Sequence, residues 1–215
     1  MNLTLVTKLL FLALLTTVAI SGQTVSAIEQ NSIDSLNSKE KKLTLNIGFY
    51  KPFTTNSSFI GEGTKGQGGF DIGMQVFVYK NFFIGAFAGY FFLDVTNTNL
   101  VGDYRRSRAF NAAIELGYEH SLSKKIDIGA SIAPLGYTEY RNYISDGRVR
   151  QQRDNASSIA YRTYVNYQFS RYFAFFINYS FRNDTTKIET APEIQNNFNE
   201  IQYHNVGFGL RILVY

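Results

Sequence analysis

The sequence has no cysteine, no tryptophan and only three prolines among its 215 residues. Without cysteine the chain can form neither a disulfide framework nor a thiolate metal site, and it offers no cysteine for an amino-terminal lipid anchor. The formal net charge of +4 is too small to indicate nucleic acid as a partner. Aromatic residues are abundant instead, with 19 phenylalanines and 15 tyrosines, and the length suits one domain.

The amino terminus has the organisation of a secretion signal. Lys8 precedes an apolar run over 9–20, and the small residues within 25–27 fit a signal-peptidase site. A membrane anchor is the alternative, but the run has about twelve residues, whereas a spanning helix needs roughly 20. We therefore expect a signal peptide over 1–27, followed by a flexible periplasmic leader over 28–42, which is polar and charged.

From residue 43 onward, apolar and polar residues alternate with a period of two, which predicts β-strands rather than helices. The pattern predicts eight strands, at 43–54, 68–79, 82–95, 106–119, 126–140, 158–169, 173–183 and 201–215. The segment 82–95 is apolar in both phases. One of its two sets of alternating residues contains both glycines and three phenylalanines, and the glycines favour an inward orientation for this set. Its members are Phe83, Gly85, Phe87, Gly89 and Phe91.

The predicted connections alternate in length. Short links near 80–81, 120–125 and 170–172 alternate with longer polar loops near 55–67, 96–105, 142–157 and 184–199. In an outer-membrane barrel the short turns lie at the periplasmic end and the long loops at the extracellular end. We therefore expect an all-β fold, an eight-stranded antiparallel up-and-down transmembrane β-barrel over 43–215. Both ends of the mature chain would then lie in the periplasm.

Alternation alone does not distinguish this barrel from a soluble, lipocalin-like barrel whose apolar face points inward. About five apolar residues per strand, many of them large, would not fit inside an eight-stranded barrel, whose interior is only just filled by side chains. The apolar face is therefore predicted to meet lipid, with the small and polar residues inside. Aromatics near the strand ends, among them Phe53, Tyr118 and Tyr140, are expected in interfacial girdles.

The last predicted strand ends in alternating apolar residues and a terminal aromatic, from Gly207 to Tyr215. This ending and the loop layout resemble the small bacterial outer-membrane β-barrel families of the OmpA transmembrane domain, OmpX and OmpW type. The resemblance covers 43–215. It implies residence in the outer membrane, with lipid and lipopolysaccharide as partners, and recognition of the last strand by the barrel-assembly machinery. Tyr215 departs from the pattern, being out of phase with Val214 and Ile212. Either a bulge shifts the strand end or the signal is read differently.

Seven charged residues fall in the inward phase, namely Asp71, Glu115, Glu119, Asp127, Arg162, Arg182 and Arg211. They could form an ion path, or a paired network that plugs the lumen. Charges in a dry interior must be paired, and eight strands leave little room for water. We therefore favour the plug and expect conductance to be low or absent.

Arginines also cluster near two predicted long loops. Arg105, Arg106 and Arg108 lie beside the second loop, and Arg141, Arg148, Arg150 and Arg153 are assigned to the third. Contact with lipopolysaccharide phosphates is the functional hypothesis, because arginine binds phosphate with two parallel hydrogen bonds. The simpler and favoured interpretation is solvated loop charge, partly offset by Asp103, Asp146 and Asp154.

The two histidines raise the hypothesis of a lipid-modifying enzyme with a His/Ser centre. His120 precedes Ser121 but falls in a predicted periplasmic turn, and His204 has no serine two residues on, so we expect two surface histidines and no enzyme. No cluster has metal-ligand spacing, and no cofactor is expected. A structural or interaction role in the envelope is the favoured function. A narrow transport barrel for small or hydrophobic solutes, which the OmpW resemblance implies, is the alternative.

The interior and the outer wall would distinguish these functions. A blocked lumen favours the structural role, and a continuous or laterally open lumen favours transport. A His–Ser pair on the lipid-facing wall near one rim would favour the enzyme.

Overall fold

A computed structural model describes residues 41–55, 58–144, 151–189 and 191–215. Eight antiparallel strands follow one another around a closed barrel, and β1 pairs with both β2 and β8. The strands are β1 Leu43–Thr54, β2 Thr64–Tyr79, β3 Phe82–Val95, β4 Tyr104–Ser121, β5 Ile126–Ile144, β6 Gln151–Gln168, β7 Phe173–Thr186 and β8 Glu200–Val214. The predicted all-β up-and-down barrel is confirmed, while the predicted signal peptide lies outside the described residues.

Three short helices lie in the longer connections, at the end of the barrel that we call the long-loop end. They are α1 Phe59–Gly63, α2 Thr98–Val101 and α3 Asn196–Asn199. No helix in the described part of the chain is long and apolar enough to span a membrane. The opposite end, the short-turn end, carries the connections after β2, β4 and β6.

The two faces of the barrel wall differ as the alternation predicts. Large apolar side chains are exposed on the outside, with Ile177 66% and Phe208 64% exposed. A contiguous apolar band of this kind is foreign to the surface of a soluble monomer and typical of a barrel wall that faces lipid. Strand β3, which is apolar in both phases, now has a defined facing. Phe83, Phe87 and Phe91 are at most 7% exposed and point inward as expected.

The third long connection is shorter than the sequence predicts. The predicted loop 142–157 contains the end of β5 and the start of β6, which pair from Gly136 with Ser158 as far as Tyr143 with Gln151. Backbone hydrogen bonds do not require apolar side chains, so the ladder continues through polar positions beyond the apolar band. Arg141 and Arg153 therefore lie in strands, which corrects their assignment to the loop.

A bulge in β5 moves one predicted girdle aromatic into the interior. Ile132 pairs with Leu116, but Leu135 pairs with Ile114, so two residues of β5 face one on β4 and β5 carries one extra residue. Proline has no N–H for the ladder, and Pro134 occupies this irregular position, where it is tolerated. The phase changes after the bulge, so Tyr140 is only 2% exposed and faces the lumen. Its assignment to the girdle was wrong.

The chain segment that precedes β1 continues the ladder at the short-turn end. The N–H of Lys42 donates to the Val214 carbonyl (2.9 Å), and its carbonyl accepts from the N–H of Phe77 (2.9 Å). Lys41 and Lys42, which the sequence analysis assigned to the flexible leader, are thus held by the barrel. Strand β8 has no register shift against either neighbour, so no bulge explains why Tyr215 is out of phase. Tyr215 lies just after Val214, the last residue of β8.

Candidate functional site

The lumen near the short-turn end is organised around Arg211, which is 1% exposed. Its Nη1 forms an ion pair with Glu119 Oε2 at 2.5 Å. Its Nη2 donates to Thr44 Oγ1 at 3.0 Å and to Gln75 Oε1 at 2.6 Å. The Gln75 amide donates in turn to Glu115 Oε1 at 3.0 Å. Residues from four strands are joined by this one guanidinium and its neighbours.

Glu119 is the most connected carboxylate of the interior. Besides Arg211, its Oε2 accepts hydrogen bonds from Tyr164 Oη at 3.0 Å and from Asn166 Nδ2 at 3.1 Å. Its Oε1 pairs with Lys41, whose Nζ also reaches Asp127 Oδ2 at 2.7 Å. Lys41 therefore closes the network at the short-turn end, and the two acidic groups there are each paired with a cation.

The middle of the lumen contains a second pair. Arg162 Nη2 lies 3.3 Å from Asp71 Oδ2, and the guanidinium stacks 4.1 Å above the Phe87 ring centre. Two small cavities adjoin this pair, with volumes of about 20 and 10 Å³. A cavity needs roughly 10–15 Å³ of such volume to hold one water, so each holds one or two waters at most.

A third group lies toward the long-loop end. Arg182 Nε forms an ion pair with Asp184 Oδ1 at 2.9 Å, and Tyr140 Oη donates to Asp184 Oδ2 at 2.6 Å. Tyr140 also donates to Tyr203 Oη at 3.0 Å. The Arg182 guanidinium lies 4.9 Å from the Phe91 ring centre and 4.5 Å from that of Tyr203. Aromatic rings therefore enclose the buried cation on two sides.

An apolar cluster covers this group at the mouth of the barrel. Phe59 and Ile60 from α1 are buried there against Leu93 and Ile201. The Phe59 ring stacks on that of Phe198 in α3, with ring centres 4.4 Å apart. Helices from two different connections thus contribute side chains to one cluster over the long-loop end of the lumen.

All seven charged residues that the sequence assigned to the lumen lie on the inner face, but in three separate groups rather than one. Several of their partners were not predicted from the sequence, namely Lys41, Gln75, Tyr140 and Asp184. Asp184 continues the inward phase of Ser180 and Arg182, and extending the alternation by two residues would have found it. Lys41 carries no such signal, because it precedes the first strand.

The arginines of the outer surface are divided by the structure. Arg108, Arg141 and Arg153 lie directly opposite one another on β4, β5 and β6, and we call these three the arginine row. Arg106 lies two residues farther toward the loops, opposite Tyr143. Arg105 is exposed at a register shift in β4 and does not join the row. Arg148 and Arg150 lie outside the described residues.

Few groups neutralise the arginine row. Arg141 pairs with Glu139, whereas neither Arg108 nor Arg153 has an ion pair within the described residues. Asp154, expected to offset the arginines, is in the inward phase and accepts a hydrogen bond from Asn142 at 3.1 Å. Within the described residues, the Nε atom of Arg108 has no hydrogen-bond partner.

Neither histidine forms a His–Ser pair among the described residues. His120 is exposed near the short-turn end of β4, and the neighbouring Ser121 hydroxyl donates to Asp127 at 2.6 Å. His204 lies on the outer wall, where its Nδ1 is 2.5 Å from Tyr179 Oη and its ring contacts Phe181. A search of the described ranges finds no group of three residues that could hold a metal ion.

Solved structures with this fold include small outer-membrane barrels. Neisserial surface protein A matches with a TM-score of 0.60 at 7% identity, over 80% of this chain and 97% of that chain. The outer membrane protein OprG from Pseudomonas aeruginosa matches with a TM-score of 0.49 at 11% identity, over 82% and 97%. No family model and no curated protein matches the sequence. The resemblance to small outer-membrane barrels is thus confirmed for the fold.

Proposed function

We propose that this protein is an integral barrel of the bacterial outer membrane with a closed lumen and a structural or interaction role in the envelope. The observation that carries the proposal is the presence of three groups of ion-paired side chains in the interior, with an apolar cluster at the mouth. The apolar outer wall supports residence in a membrane. The long-loop end would face outward, and the chain termini would lie in the periplasm.

Transport is disfavoured by the energetics of the interior. An ion crossing the lumen would have to separate Arg182 from Asp184 and Arg211 from Glu119, and breaking a buried pair leaves an uncompensated charge. The cavities between these groups hold one or two waters each, which is too little for a continuous path. An enzyme is disfavoured because His204, the outer-wall histidine, is hydrogen-bonded to Tyr179 and forms no pair with a serine within the described residues.

Planar-bilayer recording tests the closed lumen. We expect the purified protein to give no stable single-channel steps, because side chains occupy each level of the interior. Stable, large steps from the unmodified protein would contradict a closed lumen.

Cysteine labelling on intact cells tests the orientation, and the absence of native cysteine makes single substitutions unambiguous. Asp103 is an exposed residue of a long loop, and Lys124 is an exposed residue of a short turn. A membrane-impermeant maleimide should label Asp103→Cys and leave Lys124→Cys unlabelled until the cells are lysed. The reverse pattern would show that the barrel is inserted the other way round.

A further inference from the structure

The arginine row is electrostatically unfavourable as it stands. Directly opposite residues on neighbouring strands have Cβ atoms roughly 4.5–5.5 Å apart, and like charges at that separation destabilise the sheet. Glu139 pairs with Arg141, but the other two arginines have no acidic partner in the part of the chain that the structure describes. Three guanidinium groups on one outer surface therefore favour an anion from outside the protein.

The position of the row indicates which kind of anion can reach it. On β4 the outward residues from Tyr118 to Phe110 are mostly apolar, and Arg108 is the next outward residue toward the long-loop end. The arginine row thus lies at the edge of the lipid-facing band. The headgroup of a lipid is the anion that occupies this level of a membrane.

An apolar groove lies on the same wall, on the membrane side of the row. Its volume is about 720 Å³. Alanines form its floor, and larger side chains from β2 and β5 form its walls; these residues are Ala86, Ala88, Ala112, Ile72, Met74, Leu135 and Tyr137. We call this feature the wall groove. The groove faces lipid, so acyl chains are the molecules that surround it in a membrane.

The two features are aligned on the same strands. Ala112 and Arg108 both point outward from β4 and are four residues apart, which corresponds to about 13 Å at roughly 3.3 Å per residue. Phe110 and Tyr90 lie between them as a directly opposed pair. One amphiphile with an anionic head and several acyl chains could contact both the row and the groove.

We propose that this wall is a binding site for one lipopolysaccharide molecule, with lipid A phosphates on the arginine row and an acyl chain in the wall groove. The inference rests on the proposed function, because that function places the long-loop end in the outer leaflet. Lipid A suits the site since it carries two phosphates on one sugar headgroup and several acyl chains. Arg108 and Arg153 have no carboxylate partner within the described residues, and a guanidinium group can bind phosphate with two parallel hydrogen bonds.

Native mass spectrometry of the full mature chain in detergent micelles, with added hexa-acylated, bisphosphorylated lipid A, tests the site. We expect retention of one lipid A molecule and at least a tenfold weaker apparent affinity for Arg108→Gln/Arg153→Gln. Arg108→Lys/Arg153→Lys should recover part of the loss, because the charge is kept while the paired hydrogen bonds are not. Monophosphorylated lipid A should bind with intermediate affinity.

Matched variants separate the site from general effects. Arg171→Gln removes an exposed arginine in a short turn and should leave the affinity unchanged. Ala112→Leu fills the wall groove and should weaken binding several-fold, whereas Ala130→Leu, at an exposed alanine elsewhere on the outer wall, should not. Circular dichroism confirms that each variant is folded.

Three results would overturn the proposal. In the first, Arg108→Gln/Arg153→Gln retains as much lipid A as the unmodified protein. In the second, the unmodified protein retains phosphatidylglycerol and lipid A equally. In the third, the unmodified protein is a dimer and Ala112→Leu dissociates it. The last would show that a second copy of the chain fills the groove. The two proposals can fail separately. Micelles impose no orientation, so a reversed labelling pattern in cells would contradict the proposed function without affecting the measured lipid binding. Conversely, a failure to bind lipid A would contradict the site but not the closed barrel.

Discussion

Replacing Arg211 by methionine is expected to lower the free energy of unfolding by about 3 kcal/mol, the lower end of the range for breaking a buried ion pair. Glu119 is 2% exposed and would lose its 2.5 Å partner in a place that is almost closed to solvent. Lys41 still faces the carboxylate, and for this reason the expected loss is at the lower end. Thr44 and Gln75 would each lose a donor as well.

A double-mutant cycle with Glu119→Gln isolates the pair itself. The combined variant Arg211→Met/Glu119→Gln should be less destabilised than the sum of the two single changes, because it leaves no unpaired charge. Arg171→Met, at an exposed arginine of a short turn, should change stability by less than about 0.5 kcal/mol. Urea unfolding in lipid vesicles, followed by circular dichroism since the chain has no tryptophan, measures the unmodified protein and the four variants. Additive effects of Arg211 and Glu119 would contradict a direct coupling.

The strands could be predicted from the sequence because a barrel wall with an apolar outer face and a polar inner face imposes the alternation on each of them separately. Lipid selects apolar residues at every second position, and the narrow interior selects small or polar residues at the others. The limits of β5 and β6 could not be predicted in this way, because the ladder continues past the apolar band through residues such as Arg141 and Arg153. The facing of Tyr140 depends on a bulge, and alternation cannot reveal an extra residue before the partner strand is known.

The composition of the lumen could be predicted, but its pairing could not. Arg211 and Glu119 are 92 residues apart and lie on β8 and β4, which are not neighbours in the barrel. Their contact depends on how far each strand is staggered around the closed wall, and side-chain phase carries no information on that stagger. The arginine row was hidden for a related reason, since two of its members were assigned to a loop and only the register aligns them with Arg108.

Charges on the two faces of the wall differ in a way that supports the proposed roles. Inside, Arg162, Arg182 and Arg211 each have a carboxylate partner from the chain itself, as burial requires. Outside, Arg108 and Arg153 have none within the described residues. Within the described residues the chain pairs each arginine of the lumen with a carboxylate, whereas two members of the arginine row remain available to an anion, as the proposed lipid site requires.

Replacing Gly209 by alanine is expected to reduce folding severely. A Cβ built at this position would lie 2.2 Å from the carbonyl oxygen of Ile47 and 2.7 Å from the Cα of Gly48, both backbone atoms of the facing strand. It would also meet the Phe176 ring at 2.7 Å. A ring can turn away, but the backbone of β1 cannot move without opening the β1–β8 seam that closes the barrel.

The expected loss in unfolding free energy is about 3 kcal/mol, the upper end of the range for overpacking, because the obstructing atoms belong to the backbone. Gly68→Ala is the matched control, since the nearest atom to a Cβ there is the Tyr50 carbonyl oxygen at an ordinary 3.8 Å. Refolding into vesicles, scored by the folded fraction on unheated gels and by circular dichroism, compares the two variants. If Gly209→Ala refolds as completely as Gly68→Ala, the close contact of β1 and β8 does not limit barrel closure.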